Sequence, residues 1–321
     1  MSEERNLMTK IGTSNLDIFP LNLGGNVFGW TADRDASFEI LDAFVAGGGN
    51  FIDTADSYSA WIPGNNGGES ETIIGEWLAS RKPQDMIIAT KVGQHPDYRG
   101  QSASNVRAAA EASLKRLGVD TIDLYYIHQD DLETPLEETV AAHAELIKEG
   151  LVRYTALSNF SGERIREWFR VAAKLDAPAP VALQPKYNLV EREAFESTLQ
   201  PVAKEFGLSV LPYYSLASGF LTGKYRSEED IEQGSSPRSH GMAGYATKKN
   251  FALLDTLEQI AKSHDVSIAT VALAGLRSQP TIAAPIASAS KVEQVSDLLA
   301  SATLELSSDE LAQINSDSSP E

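Results

Sequence analysis

Four polar side chains stand where apolar runs end. Asp53 closes Asn50-Phe51-Ile52 and Tyr58 follows five residues later. Lys91 closes Met86-Ile87-Ile88-Ala89-Thr90, and His128 closes Ile122-Asp123-Leu124-Tyr125-Tyr126-Ile127. A carboxylate, a phenol, an amine and an imidazole gathered at one point could transfer a proton. A free phenol ionises near pH 10. A neighbouring ammonium favours the phenolate, so Lys91 is expected to lower the pKa of Tyr58, with Asp53 holding Lys91 charged and oriented. His128 could hydrogen-bond a substrate oxygen or relay a proton. The natural task of such a tyrosine is to protonate a carbonyl oxygen as hydride arrives at carbon. None of the four side chains can carry hydride, so that task requires a nicotinamide cofactor.

Residues this far apart in sequence meet only if a fold gathers strand ends. Short apolar runs alternate with helical segments along the whole chain. Residues 7–19 read as a hairpin around Gly12-Thr13-Ser14-Asn15. Strands are expected at 20–24, 50–53, 86–90, 121–127, 153–157, 181–184, 209–212 and 281–285. Helices are expected at 35–46, 70–80, 102–117, 135–149, 161–175, 193–206, 249–264 and 291–299, with a further C-terminal helix at 308–314. Ser102 reads as an N-cap, and Gly47 and Gly118 as helix ends. Eight strand–helix units predict an α/β chain of one domain, a (β/α)8 TIM barrel over residues 1–321 with an N-terminal hairpin and an additional C-terminal helix. A doubly wound sheet is the rival. In a barrel the C-terminal strand ends share one rim, which is where the four polar residues fall. Two long loops, 59–69 and the polar stretch 227–247, follow strands on that same side and are candidate lids.

Composition narrows the class. The chain has 321 residues, 42% of them hydrophobic, which is ample for one large core. A formal net charge of −18 repels phosphate backbones and argues against nucleic-acid binding. The absence of cysteine excludes disulfides, thiolate metal sites and cysteine nucleophiles. The first residues lack a signal-peptide core and no apolar run is long enough to span a membrane, so a cytoplasmic protein is expected.

The segments Asn50-Phe51-Ile52-Asp53-Thr54-Ala55-Asp56-Ser57-Tyr58, Ala89-Thr90-Lys91-Val92-Gly93, Asp123-Leu124-Tyr125-Tyr126-Ile127-His128, Ala156-Leu157-Ser158-Asn159-Phe160 and Gln184-Pro185-Lys186-Tyr187-Asn188 resemble those of the aldo-keto reductase superfamily. The pattern is most similar to the bacterial branch that also resembles potassium-channel β subunits. The resemblance implies an NADP-dependent oxidoreductase acting on a small-molecule carbonyl, with Asp53, Tyr58, Lys91 and His128 as its tetrad and Tyr58 as proton donor. It implies that Ser158, Asn159 and Gln184 hold the nicotinamide carboxamide, that Tyr213 stacks on the ring, and that Gly25 and Asn26 flank the ribose. Tyr214, Ser215, Leu216, Ala217, Ser218 and Gly219, with Lys224, would cradle the pyrophosphate. After the eighth strand, Ser288, Ser290, Lys291 and Gln294 would meet the adenosine end, with Ser290 and Lys291 at a 2′-phosphate. Arg238 could clamp a phosphate. NADP(H) is therefore the preferred cofactor. NAD(H) stays possible, because no arginine follows Lys291 and Leu298 stands where the family often has asparagine.

Other readings of the same residues stay open. Lys91 could be a Schiff-base amine in a non-redox lyase, or the chain could be a cofactor-sensing subunit of a larger assembly. Trp30, Tyr58, Trp61, Tyr126 and His128 are candidates for a pocket wall suited to aromatic or sugar-like carbonyls. Monomeric and homo-oligomeric assembly are both compatible with the sequence.

Overall fold

The computed structural model describes residues 7–233 and 242–320. A short antiparallel hairpin, β1 (Thr9–Lys10) and β2 (Asp17–Ile18), comes first. The main sheet is built from β3 (Asn22–Gly24), β4 (Phe51–Asp53), β5 (Ile87–Val92), β8 (Ile122–Ile127), β9 (Val152–Ser158), β10 (Ala182–Gln184), β11 (Ser209–Val210) and β12 (Ile286–Ala287). A small ribbon, β6 (Gln94–His95) with β7 (Tyr98–Arg99), interrupts the series after β5. The eight strands are parallel and neighbour one another in chain order, with β12 beside β3. The order never reverses, which rules out a doubly wound sheet. Backbone bonds from Val210 N to Thr281 O and from Ala283 N to Val210 O tie the last strand region to β11. The arrangement is a (β/α)8 barrel.

Helices α1 (Arg34–Ala46), α2 (Glu69–Arg81), α3 (Ala103–Leu117), α4 (Leu136–Lys148), α5 (Gly162–Leu175) and α6 (Gln200–Phe206) follow successive strands. A short α7 (Glu228–Glu232) precedes α8 (Lys248–His264), α9 (Ile268–Arg277), α10 (Val295–Thr303) and α11 (Ser308–Asp317). Among the described residues no helix is long and apolar enough to cross a membrane.

Side-chain alternation with period two sorts each strand. Phe51, Ile87, Ala89, Leu124, Tyr126, Ala156 and Ala182 point inward and form one core with Ile11, Leu16 and Ile18 of the hairpin. Ile52, Ile88 and Leu23 point outward against α1, α2 and α10. Continuing the inward series by two residues gives Asp53 above Phe51, Lys91 above Ala89 and His128 above Tyr126. The hairpin therefore closes the N-terminal end, and the polar residues crown the other.

Four expectations need correction. The eighth strand lies at Ile286–Ala287, and residues 281–285 serve as the bonded approach to it, because Pro285 has no N–H to give the ladder. Ser102 precedes α3 in extended conformation, but its side chain makes no capping hydrogen bond. The helix expected at 193–206 is interrupted near its start by a π-helical turn, Phe195–Leu199, and becomes α-helical again just before Pro201; the wider turn tolerates the missing proline N–H. Helix α9 was not expected. Residues 269–276 are all buried, so it shows almost no face to solvent.

Candidate active site

Lys91 is the hub of the rim. Its side chain is wholly buried, and its Nζ donates to Asp53 Oδ2 at 2.6 Å, to the Thr54 carbonyl at 2.7 Å and to the Tyr58 hydroxyl at 2.8 Å. Three donors meet three oxygens, so the ammonium is fixed in position. Tyr58 also donates to Asp53 Oδ2 at 3.3 Å. The other oxygen of Asp53 accepts from Gln184 Nε2 at 2.8 Å. The Tyr58 and His128 rings stand edge to face with centroids 6.1 Å apart. Strand pairing sets these distances: Asp53 pairs with Ala89 in the β4–β5 ladder, and Lys91, two residues further along β5, pairs with Tyr126 in the β5–β8 ladder.

The electrostatics differ from the expectation for Tyr58. Burial, and then the Asp53 carboxylate, push its pKa well above that of a free phenol. Distances explain why the ammonium does not win. At an effective dielectric near 20, a unit charge 2.8 Å away favours a phenolate by about 6 kcal/mol, and the opposite charge at 3.3 Å disfavours it by about 5 kcal/mol. The ion pair nearly cancels at the phenol oxygen, and desolvation decides the sign. Tyr58 therefore rests protonated, ready to donate. Burial, and to a smaller degree the charge of Lys91, hold the His128 pKa well below the usual imidazole range, so His128 is neutral. Burial also lowers the pKa of Lys91, against the pull of Asp53.

A cavity of about 1040 Å³ opens above these groups. Asp53, Tyr58 and His128 line its base, and Lys91 lies beneath the surface. Trp30 and Trp61 form part of the wall, edge to face at 5.7 Å, and Trp61 lies 6.3 Å from the Tyr58 ring. Tyr126, expected on that wall, is instead fully buried below, with its ring 5.6 Å from Lys91 Nζ. An inward residue one turn of the pleat beneath the rim cannot reach the cavity.

Ser158, Asn159 and Gln184 line the cavity and are bonded into the tetrad's support. Ser158 Oγ donates to the Gln184 carbonyl at 2.9 Å, and Asn159 Nδ2 donates to the His128 carbonyl at 2.8 Å. Tyr213 donates its hydroxyl to Asn159 Oδ1 at 2.9 Å, which places it beside the tetrad; Tyr214 is half exposed further out. Tyr214, Ser215, Leu216, Ser218, Gly219 and Lys224 continue the wall. Tyr214, Ala217, Ser218 and Gly219 all have positive φ, an accumulation of left-handed residues that proteins retain mainly at ligand-binding segments. Asn26, Ser288, Ser290 and Gln294 complete the far end. Ser288 Oγ donates to Asn26 Oδ1 at 2.5 Å, and a Cβ on Gly24 would lie 2.4 Å from Ser288 Oγ, so only glycine leaves this end of the groove open.

Not every expected contact reaches the cavity. Gly25 is buried, its N–H donating to the Asp53 carbonyl at 2.7 Å, and Ala217 is buried as well. Lys291 lies outside the lining, exposed beside it. Gln294 Oε1 accepts from the backbone N–H of Ser290 at 2.9 Å and of Lys291 at 3.3 Å, so this amide caps its own helix start. Leu298 packs into the core beneath α10 and does not face the groove. Arg238 lies outside the described residues. The structure adds Gly24, Thr31, Gln94, Gln129, Thr222, Ile286 and Ala287 to the lining. Gln94 and Gln129 could have been found from sequence, since both sit one to three residues past a strand-end tetrad member.

The cavity thus has the Lys–Tyr–Asp cluster at its base and a left-handed, lysine-bearing segment in its wall. Comparison with known proteins identifies the family. The model of the aldo/keto reductase family matches residues 20–318. A rice (Oryza sativa subsp. japonica) protein named as a voltage-gated potassium channel subunit beta is 33% identical over 89% of this chain and 88% of its own length. An aldo-keto reductase of Strobilurus tenacellus is 32% identical over 97% and 89%. A Saccharomyces cerevisiae protein named as an aryl-alcohol dehydrogenase is 30% identical over 95% and 84%. With a family model spanning nearly the whole chain, this protein belongs to the aldo/keto reductase family and is an oxidoreductase.

Proposed function

We propose that the protein reduces the carbonyl group of a small aromatic aldehyde or ketone to an alcohol, with Tyr58 as the proton donor. The 2.8 Å contact between Lys91 Nζ and the Tyr58 hydroxyl carries this reading. A bound nicotinamide nucleotide supplies the hydride. Ser158, Asn159, Gln184 and Tyr213 would hold its reactive ring, the segment from Tyr214 to Gly219 with Lys224 its pyrophosphate, and Ser288, Ser290, Lys291 and Gln294 its adenosine end. Neutral His128 orients the carbonyl oxygen toward Tyr58. As the proton leaves, negative charge grows on the phenol oxygen, and the fixed ammonium of Lys91 stabilises it without reorganising. Trp30 and Trp61 shield the reaction from water and offer faces to a planar substrate. The name of the yeast relative supports the aromatic assignment. Ser290 and exposed Lys291 at one end of the groove support NADP(H) over NAD(H). We place the reaction in the cytoplasm, where such nucleotides are abundant.

The lyase reading of Lys91 has little physical ground. A Schiff base needs a free amine lone pair, and all three N–H donors of Lys91 are engaged. Tyr58→Phe tests the proposal. It removes one hydroxyl, so nucleotide binding should persist while reduction of a benzaldehyde falls by at least ~10²-fold, the scale of a lost general acid. Near-full activity in this variant would refute it.

A further inference from the structure

We infer that Gln94 and Gln129 form a selecting subsite for a hydroxymethyl substituent on the ring of an aromatic carbonyl substrate. The inference rests on the reductase reading of the same cavity. Gln94 lies three residues past Lys91 and Gln129 directly follows His128, and β5 and β8 are paired neighbours in the sheet. Both side chains line the cavity, and Gln94 Nε2 donates to Gln129 Oε1 at 3.1 Å. That bond holds the two amides side by side. It leaves two N–H donors on Gln129, and one donor and the carbonyl oxygen on Gln94. No other described residue takes them up. A hydroxyl, as donor and acceptor together, can use both the free N–H groups and the free carbonyl oxygen of this pair; a methyl group can use neither.

The rest of the substrate end is aromatic. Trp30, Trp61, Tyr58 and His128 follow one another at centroid spacings of 5.7, 6.3 and 6.1 Å. A ring seated there with its carbonyl at Tyr58 presents a distal substituent to the wall, and the amide pair is a polar part of that wall. The fold does not need the pair, since both amides are solvent-accessible and bridge two turns already fixed by the ladder: His128 N donates to the Val92 carbonyl at 3.0 Å.

The test is a matched pair of substrates, para-hydroxymethyl and para-methyl benzaldehyde, with NADPH and with NADH. The rings are alike in size and the carbonyls in reactivity. The wild type should favour the hydroxymethyl compound in kcat/KM by about 2- to 10-fold, the range of a neutral hydrogen bond, with the difference mostly in KM. Gln129→Leu and Gln94→Leu should each bring the ratio toward one. Equal turnover of the two aldehydes by the wild type, or an unchanged ratio in both variants, would overturn the subsite and leave the reductase reading intact. Absence of turnover of either aldehyde with either nucleotide would overturn both.

Discussion

Replacing Lys91 by methionine isolates the electrostatic argument. The variant keeps the unbranched apolar stem, one atom shorter, and removes a charge held 2.8 Å from the phenol oxygen. A full unit charge there is worth about 6 kcal/mol at an effective dielectric near 20. If about half a charge develops on the oxygen in the transition state, the loss is ~3 kcal/mol, or about 10²-fold in kcat. The reverse reaction reports the sign. Alcohol oxidation needs the phenolate, and the folded-state pKa of Tyr58 is raised by burial and by Asp53, so the oxidation rate should climb through the alkaline range. Lys91→Met removes the favourable partner and leaves the carboxylate, moving that climb to higher pH. Asp53→Asn removes the unfavourable partner, 3.3 Å from the same oxygen, and should move it to lower pH. Opposite displacements are the signature of the geometry. A buried Asp53 without its cation endangers the fold, so circular dichroism on both single variants and on the double variant is the control. If both profiles shift the same way, or neither shifts in folded protein, the cancellation argument is wrong.

Two other outcomes follow. If Ser290 and Lys291 meet a 2′-phosphate, NADPH should bind ~10- to 100-fold more tightly than NADH, as expected of a charge-assisted contact. Salt should weaken that preference, and Lys291→Ala should lose part of it without changing NADH affinity; equal wild-type dissociation constants by fluorescence titration would sink the assignment. Gly75→Ala should destabilise the protein by about 1–3 kcal/mol although alanine is the better helix former, because the new Cβ would lie 2.1 Å from the Arg116 carbonyl where α2 crosses α3; an unchanged thermal midpoint would show that the two helices separate freely.

The barrel was readable because its strands end abruptly in polar residues. A fully buried strand has no amphipathic signature, yet Asp53, Lys91 and His128 each lie within one residue of a strand's end, and a period of two forces all three to the same inner rim. No such marker announces α9, whose residues 269–276 are buried without a polar residue closing an apolar run, and the last strand begins a few residues later than its apolar run, after Pro285. The charge state of Tyr58 lay beyond sequence for a different reason. Residue types place a cation and an anion near the phenol, but the sign of their sum depends on half an ångström, 2.8 against 3.3 Å, and on how deeply the oxygen is buried. A lysine nearby suggests a phenolate; a lysine already shared with a carboxylate at nearly equal distance gives a neutral phenol. The distinction matters for direction. A resting phenolate would favour taking a proton from an alcohol, whereas a resting phenol whose charge is stabilised only as it forms favours giving one to a carbonyl.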